Sequence, residues 1–452
     1  MAFIAFMATA AQAGGLMTNT NYHIAFDRMM ARGASFDVDA TFSNPAGLAW
    51  GHEGWQLSLN FQKPWQNRDI ELTTPAGATK YEGKASAPIV PALFASYKKD
   101  RWAVSAMIGI VGSGGFVQYD DGVPQYNTMM VGLLSGVLPQ LNKLPGISIS
   151  PNYTLDTEMK GKQYIYGGQF NFTYKLLDNL SAAVGFRANY YDGYFRGHVV
   201  ANGDAEYGQL ARLLLDVNQK GWGFTPIISM NFHQGPLTLT ARYEFRTKIS
   251  TENETNVLDA GLGDKLVAKV AAVPVFGPST LKALDAILTP QMNQLRAPFE
   301  DGVRTRYDMP ALLSLAAGYE FTPKLRATLE YHFFDDKHAK MANDRQDELT
   351  HGTHEIVAGI EYDINEKFTI SCGGQRTDYG LSDGYQQNTS FACDSYSVGL
   401  GGAWNINEKV RLNAGYFCSL YSNYDKQALY TNGMETYSRT NHVIGLGVDY
   451  KF

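Results

Sequence analysis

The stretch Leu237-Thr-Leu-Thr-Ala-Arg-Tyr-Glu-Phe245 decides the fold. Apolar residues fill its odd positions and polar residues its even ones. Successive side chains of a strand point to opposite faces, so this period of two makes one apolar and one polar face. The polar face carries Arg242 and Glu244. An apolar outside and a polar inside is the pattern of a strand in a membrane barrel.

The period returns in Trp55–Phe61, Trp102–Ile110, Tyr164–Tyr174, Leu180–Tyr190, Trp222–Phe232, Met309–Phe321 and Leu325–Phe333. It continues in Ile356–Tyr362, Phe368–Gly374, Tyr396–Ile406, Val410–Cys418 and Ile444–Phe452, with a weaker example at Pro91–Tyr97. The total is about fourteen, an even number, as in single-chain outer-membrane barrels. Short turns at Lys98–Arg101, Leu177–Asn179, His233–Pro236, Thr322–Lys324, Asp363–Glu366 and Asn407–Lys409 alternate with long segments, the largest at 111–162 and 247–307. Short turns at one end and long loops at the other are the asymmetry of such a barrel. A large soluble sandwich also alternates, but this strand length and hairpin parity do not suit it.

Aromatic residues mark the strand ends of the outward face: Trp55, Trp102, Tyr174, Tyr190, Trp222, Phe245, Tyr319, Tyr331, Tyr362, Trp404 and Tyr450. Such residues form interface girdles. The inward face is small and polar, with Gln169, Asn171, Thr173, Arg187, Asn189, Thr240, Arg242, Glu244, Glu320, Arg326, Glu330, Glu361, Arg411 and Asn413.

Composition agrees. Of 452 residues, 18% are charged, against about 25% in soluble domains. Aromatics reach 13%, and there are 45 Gly. No run of roughly 18 apolar residues suggests a spanning helix. The net charge of -6 is spread along the chain, and no basic patch points to nucleic acid. Residues 1–13 read as a signal peptide ending in Ala11-Gln-Ala13, without a basic start, so the mature chain is expected from Gly14. Cys372, Cys393 and Cys418 are too scattered for a disulfide framework or a zinc site, and nothing in their spacing demands a pair. Cys372 and Cys418 fall on apolar strand faces.

Residues 14–50 precede the first strand and do not alternate. His23–Ala34 suits a short helix or coil. Then comes Phe42-Ser-Asn-Pro-Ala-Gly-Leu-Ala-Trp50, a turn flanked by aromatics. Irregular backbone cannot face lipid, but it can sit inside a lumen. A barrel of about fourteen strands is too wide for its own side chains to fill, so a plug is expected.

At Arg32-Gly-Ala-Ser35, Ala40-Thr-Phe-Ser-Asn-Pro-Ala-Gly-Leu48, Gln56-Leu-Ser-Leu59 and the terminal Tyr450-Lys-Phe452, the chain resembles the FadL-like family of outer-membrane transporters for long-chain fatty acids and aromatic hydrocarbons. The resemblance implies a hatch at 14–50 whose motif is Asn44, Pro45, Ala46, Gly47 and Leu48, and a barrel over 51–452. It implies capture of a hydrophobic small molecule, lumenal binding, hatch movement and lateral exit beside the third strand. That route avoids the lipopolysaccharide layer, needs no cofactor or energy source, and suits a monomer. Gly109 and Gly112 are the candidate positions for a weakened third strand. Gly114 and Gly115 read as the start of a loop.

An apolar ligand needs apolar surface outside the membrane. Met129, Met130, Leu133, Leu134 and Leu138, at helical spacing within Tyr126–Leu144, are candidates for it, as is Val257–Val273 with Leu281–Leu288. A carboxylate head needs a cation, and Arg187, Arg242 and Arg326 are candidates, although barrel interiors also hold Arg–Glu pairs as structure. A general diffusion porin and a barrel-embedded hydrolase are the alternatives. Against the hydrolase, the chain has no phosphate loop and no paired-cysteine site. His351 and His354 with Asp335 or Asp336 at a strand rim read as solvated, not as a metal site.

Overall fold

The computed structural model describes residues 17–18, 21–87 and 89–452. The proposed signal peptide and the start at Gly14 lie outside them. Fourteen antiparallel strands close into one barrel. They are β1 (Gly54–Thr74), β2 (Gly77–Tyr81, Gly83–Ser86 and Val90–Lys99), β3 (Trp102–Tyr119), β4 (Thr154–Leu177), β5 (Leu180–Asn202), β6 (Gln209–Gln234) and β7 (Leu237–Glu244 and Ser250–Leu262). The circuit continues with β8 (Arg304–Arg306 and Leu312–Thr322), β9 (Leu325–Phe334), β10 (Thr353–Asp363), β11 (Phe368–Asp378), β12 (Ser395–Asn405), β13 (Val410–Tyr421 and Tyr424–Gln427) and β14 (Met434–Lys451). Pairing of β14 with β1, from Gln56↔Lys451 to Thr73↔Met434, closes the ring. Closure removes every edge, as a sheet in lipid requires.

The strands outrun the apolar alternation that announces them. β4, β5 and β6 have 24, 23 and 26 residues, where about 9–11 cross a bilayer. Above the apolar band the hydrogen-bond ladder continues while the outward residues turn polar, as Asn67, Asp69, Glu71 and Thr73 do on β1. Three expectations are corrected by this extension. The segment 111–162 begins and ends as strand, with one helix, α3 (Pro124–Leu141), between. The segment 247–307 begins with β7, so Val257–Leu262 is strand; α4 (Asp264–Ala271), α5 (Phe276–Arg296) and a 3₁₀ turn at Ala297–Phe299 are its helical parts. Gly115 does not start a loop but lies within β3 at a positive φ of 73°.

Inside the turn end lies the segment before β1. It holds two short helices, α1 (Ile24–Met29) and α2 (Ala40–Ser43), and a 3₁₀ turn over Pro45–Trp50. Asn44 explains that last turn. Its side-chain oxygen accepts from the Gly47 amide at 3.2 Å, and Pro45 occupies the first position, where no amide is needed. Trp50 belongs to this plug, not to the wall, and packs on Phe36 and His233. The inner wall is shaped for α1. Gly359, Gly373, Gly399, Gly401, Gly415 and Gly445 line β10 to β14 beneath it. A Cβ at Gly373 would stand 1.8 Å from the Met29 carbonyl oxygen, so a larger residue cannot fit there. All three cysteines are free, and burial pushes the Cys393 thiol in the 379–394 loop up to about 11.

Candidate functional site

The plug is bolted to the wall by polar groups. The His23 imidazole and the Asp449 carboxylate lie 3.0 Å apart. Arg28 pairs with Glu361 and donates to Ser371 Oγ at 2.9 Å. Glu361 also takes Arg326, which pairs with Asp363 at 2.7 Å. Arg32 stays within the plug, on Asp39 at 2.6 Å. The amide of Asn44 donates to Asn231 Oδ1 at 2.8 Å, Thr173 Oγ1 to the Pro45 carbonyl at 2.8 Å, and Ser181 Oγ to the Ala46 carbonyl at 2.6 Å. Gly47 has no room for a side chain, because Asn44 Nδ2 and the Ser35 carbonyl stand against it. Leu48 packs with Ala40 and Ala103. The five motif residues thus sit at one contact between plug and wall.

Above the plug the lumen becomes apolar. Val111, Val117, Tyr191, Val217 and Ile249 from the wall join α3 in one buried cluster. Met130, Leu134 and Leu138 face inward and are buried, while Met129 and Leu133 are half-buried against them. The stretch that reads as exposed capture surface is therefore mostly the inner lining of the mouth. The helix puts every third or fourth residue on one face, and that face seats in the barrel. The exposed apolar surface belongs instead to α5, where Phe276 and Ile287 are each 59% exposed. Together with Leu144, Pro145, Ala283 and Leu284 they line a groove of about 570 Å³ between α5 and the end of α3, with Lys143 at its rim.

The three candidate arginines are not gathered into one place. Arg187 pairs with Glu244 and donates to Gln169 Oε1 at 3.2 Å. Arg242 lies 3.0 Å from Glu244 and donates to the Phe42 carbonyl. Arg326 is held at the turn end by Glu361 and Asp363.

At β3 the wall is interrupted. β2 pairs with β3 from Lys99↔Trp102 to Leu93↔Ile108, and again from Ala85↔Val117 to Gly83↔Tyr119. Between these stretches the ladder lapses, and the strand of β2 stops at Ser86 and resumes at Val90. On its other side β3 slips register against β4 between Ile110 and Gly112 and between Ser113 and Gly115. Such bulges bend a strand away from its neighbour. A groove of about 480 Å³ opens outward at the break, lined by Leu59, Ile89, Leu93, Ile108, Gly109 and Tyr166 among others. From within, plug residue Tyr22 backs it: a Cβ at Gly109 would lie 3.8 Å from Tyr22 Cγ and 3.4 Å from Ala92 Cβ. Tyr22 in turn packs edge-on against Phe42, with centroids 5.1 Å apart.

At the β9–β10 rim the His351 and His354 rings lie 5.2 Å apart, but Asp335 and Asp336 do not join them. His338 Nδ1 meets Asp335 at 2.6 Å, and His354 Nδ1 meets the Tyr331 hydroxyl at 2.7 Å. Among the described residues no group of three or more His, Cys, Asp or Glu is placed to hold a metal.

Residues 288–452 match the family model described as outer membrane protein beta-barrel domain. No match is found among proteins of curated function. Among solved structures, a Pseudomonas aeruginosa FadL homologue is similar over 97% of this chain and 100% of its own, at TM-score 0.67 and 14% identity. The P. putida toluene transporter TodX follows at TM-score 0.56 and 12% identity, covering 98% and 99%. The Ralstonia pickettii toluene transporter TbuX gives TM-score 0.51 and 13% identity over 98% and 99%. The chain is a β-barrel of the bacterial outer membrane with the fold of these FadL-like channels.

Proposed function

We propose that the chain carries hydrophobic small molecules passively across the outer membrane, with long-chain fatty acids as the first class of substrate. The observation that carries this reading is the lapse of pairing between β2 and β3, apolar on its lipid side and backed by plug residue Tyr22 on its lumenal side. A pore for polar solutes has no use for a side opening lined by Leu59, Ile89, Leu93 and Ile108.

Each stage of the route has a physical counterpart. The α5 groove offers an apolar surface outside the membrane, where burial of about 100 Å² of ligand is worth about 2.5 kcal/mol. The apolar mouth receives the ligand from it. Movement of the plug would draw Tyr22 from behind Gly109, and the ligand would leave sideways into lipid, below the lipopolysaccharide headgroups. No step needs an external energy source, because the ligand ends in its preferred solvent. The toluene transporters among the structural neighbours support the same reading for small aromatic hydrocarbons, with long-chain acids and aromatics sharing one apolar path. A monomer suffices, since the whole route lies within one barrel.

Native mass spectrometry after incubation with palmitate in mild detergent tests this reading. A retained acyl chain is expected, together with little ion current in planar bilayers. A ligand-free barrel with large, steady conductance would replace the reading with a diffusion porin.

A further inference from the structure

Most other arginines of the lumen are answered, and half-buried Arg411 at the turn end, whose Nε and Nη2 lack a hydrogen-bond partner, lies near the Asp37 and Glu361 carboxylates. Arg28 and Arg32 of the plug have Glu361 and Asp39, Arg187 and Arg242 share Glu244, and Arg345 is held by the carbonyls of Tyr385 and Ser390. Two arginines at the loop end differ. Arg68 on β1 and Arg439 on β14 are direct partners across the seam that closes the barrel. They are 1% and 7% exposed. No Asp or Glu forms an ion pair with either, and the residues outside the described ones contain no Asp or Glu. Nε and Nη1 of both have no hydrogen-bond partner. Arg68 Nη2 donates to the Phe391 carbonyl at 3.0 Å, and Arg439 Nη2 reaches Gln66 Oε1 at 3.4 Å.

Like charges directly opposite each other in a sheet destabilise it, and a buried charge without a counter-ion is costlier still. Two such charges side by side call for an anion. Their surroundings say which kind. Arg68 lies over the Phe391 ring at 5.0 Å and Arg439 over Tyr421 at 4.6 Å, which holds each guanidinium against an aromatic ring. Phe391 and Tyr437 continue as an apolar wall, with centroids 4.8 Å apart. Along β1, Arg68 follows Trp65, whose partner Ser86 borders the broken part of β2. The cation pair therefore stands over the side opening, joined to it by the apolar lining of the lumen.

We infer that Arg68 and Arg439 form the lumenal seat for the head carboxylate of a single-chain amphipathic ligand, and so select acids over neutral hydrocarbons. The inference rests on the transport reading and sharpens its substrate class. Two guanidinium forks can bind one carboxylate through several charge-assisted hydrogen bonds. The apolar shaft below takes the tail. Thr18 Oγ1 lies 2.8 Å from the hydroxyl of Tyr379, at the start of the 379–394 loop whose Phe391 carbonyl takes Arg68, so the plug reaches the loop that borders the seat.

Equilibrium dialysis of the full-length protein in a neutral detergent tests this with palmitate, hexadecanol and hexadecyl phosphate as probes. Arg439→Met and Arg68→Met are the variants, because neither leaves a carboxylate stranded; Arg439→Lys is the conservative control. Palmitate should bind the parent chain more tightly than hexadecanol. Each Met variant should weaken palmitate by about 10- to 100-fold, the range for charge-assisted hydrogen bonds, and hexadecanol by less than about twofold. Arg439→Lys should recover part of the loss. Equal weakening of both probes, or none for palmitate, would overturn the seat while leaving transport in place. Hexadecyl phosphate binding more tightly than palmitate would overturn the carboxylate assignment. Failure of the parent chain to bind any of the three would remove the transport reading itself, and the seat with it.

Discussion

The two halves of the lumen handle buried charge in opposite ways. In the periplasmic half buried charges are paired: Arg28 of the plug with Glu361 of the wall, Arg32 with Asp39 inside the plug, and Arg187 and Arg242 with Glu244 inside the wall. In the extracellular half Arg68 and Arg439 face each other without a counter-ion, against aromatic rings. A buried pair with its hydrogen bonds complete holds two surfaces in register. A buried pair of like sign holds nothing until something binds between. The lower half is thus built to seal and the upper half to receive.

Removing the seal should have the largest effect. Deletion of 21–50 should turn a nearly silent barrel into one with large, steady ion conductance in planar bilayers. An unchanged trace would mean that the wall and loops close the lumen unaided.

Single substitutions then set the halves against each other. Glu361→Ala strands the Arg28 guanidinium and leaves Arg326 with Asp363 alone, and should cost about 3–5 kcal/mol in thermal or denaturant unfolding. Arg68→Met, in the other half, should leave stability unchanged or raise it, because it relieves repulsion and breaks no ion pair. Similar losses from the two would erase the distinction between sealing and receiving.

Gly373→Val should cost about 1–3 kcal/mol and raise the open probability in bilayers, since its Cβ meets the Met29 carbonyl at 1.8 Å. Conductance like that of the parent chain would show that α1 does not depend on the glycine floor. A smaller loss, about 1–2 kcal/mol, is expected for Asn44→Ala, which removes the cap on Gly47 and the bond to Asn231. Asn44→Asp keeps the capping acceptor, and should recover the cap while losing the Asn231 bond.

The sequence reveals the seal far better than the receiver. All fourteen strands announce themselves through alternation, because lipid outside and polar groups inside force it in every strand. Asn44-Pro45 reads as a buried turn because nothing else suits that spot between an irregular segment and a wall. The inward arginines 187, 242 and 326 are also visible, since each lies in an alternating stretch. What alternation hides is whether an inward arginine has a partner, for its carboxylate arrives from a distant strand. Arg68 and Arg439 escape altogether. They lie above the apolar band, where the outward residues of β1 and β14 turn polar and the inner face carries Ile70, Leu72 and Tyr437, so the apolar-outside alternation is gone although the ladder is intact. The apolar face of α3 is legible as a helix, but sequence alone does not say that Met130, Leu134 and Leu138 turn inward. The break between β2 and β3 is legible only in part. Gly109 and Gly112 mark β3, and the proline between Ala87 and Ile89, with no amide to give a ladder, is the matching mark on β2; what neither says is that the two fall side by side.

The side opening is the centre of the account, and a reversible staple across it is the direct test. Ala92 and Gly109 face each other at its lower edge, with Cβ positions 3.4 Å apart, close to the roughly 3.5–4.5 Å of a disulfide. In cells carrying Ala92→Cys with Gly109→Cys, uptake of labelled palmitate should fall to background when the bridge forms and return when dithiothreitol breaks it. The parent chain under the same oxidant should be unaffected. Equal uptake with the bridge formed and broken, its formation verified by mass spectrometry, would contradict lateral exit through this wall.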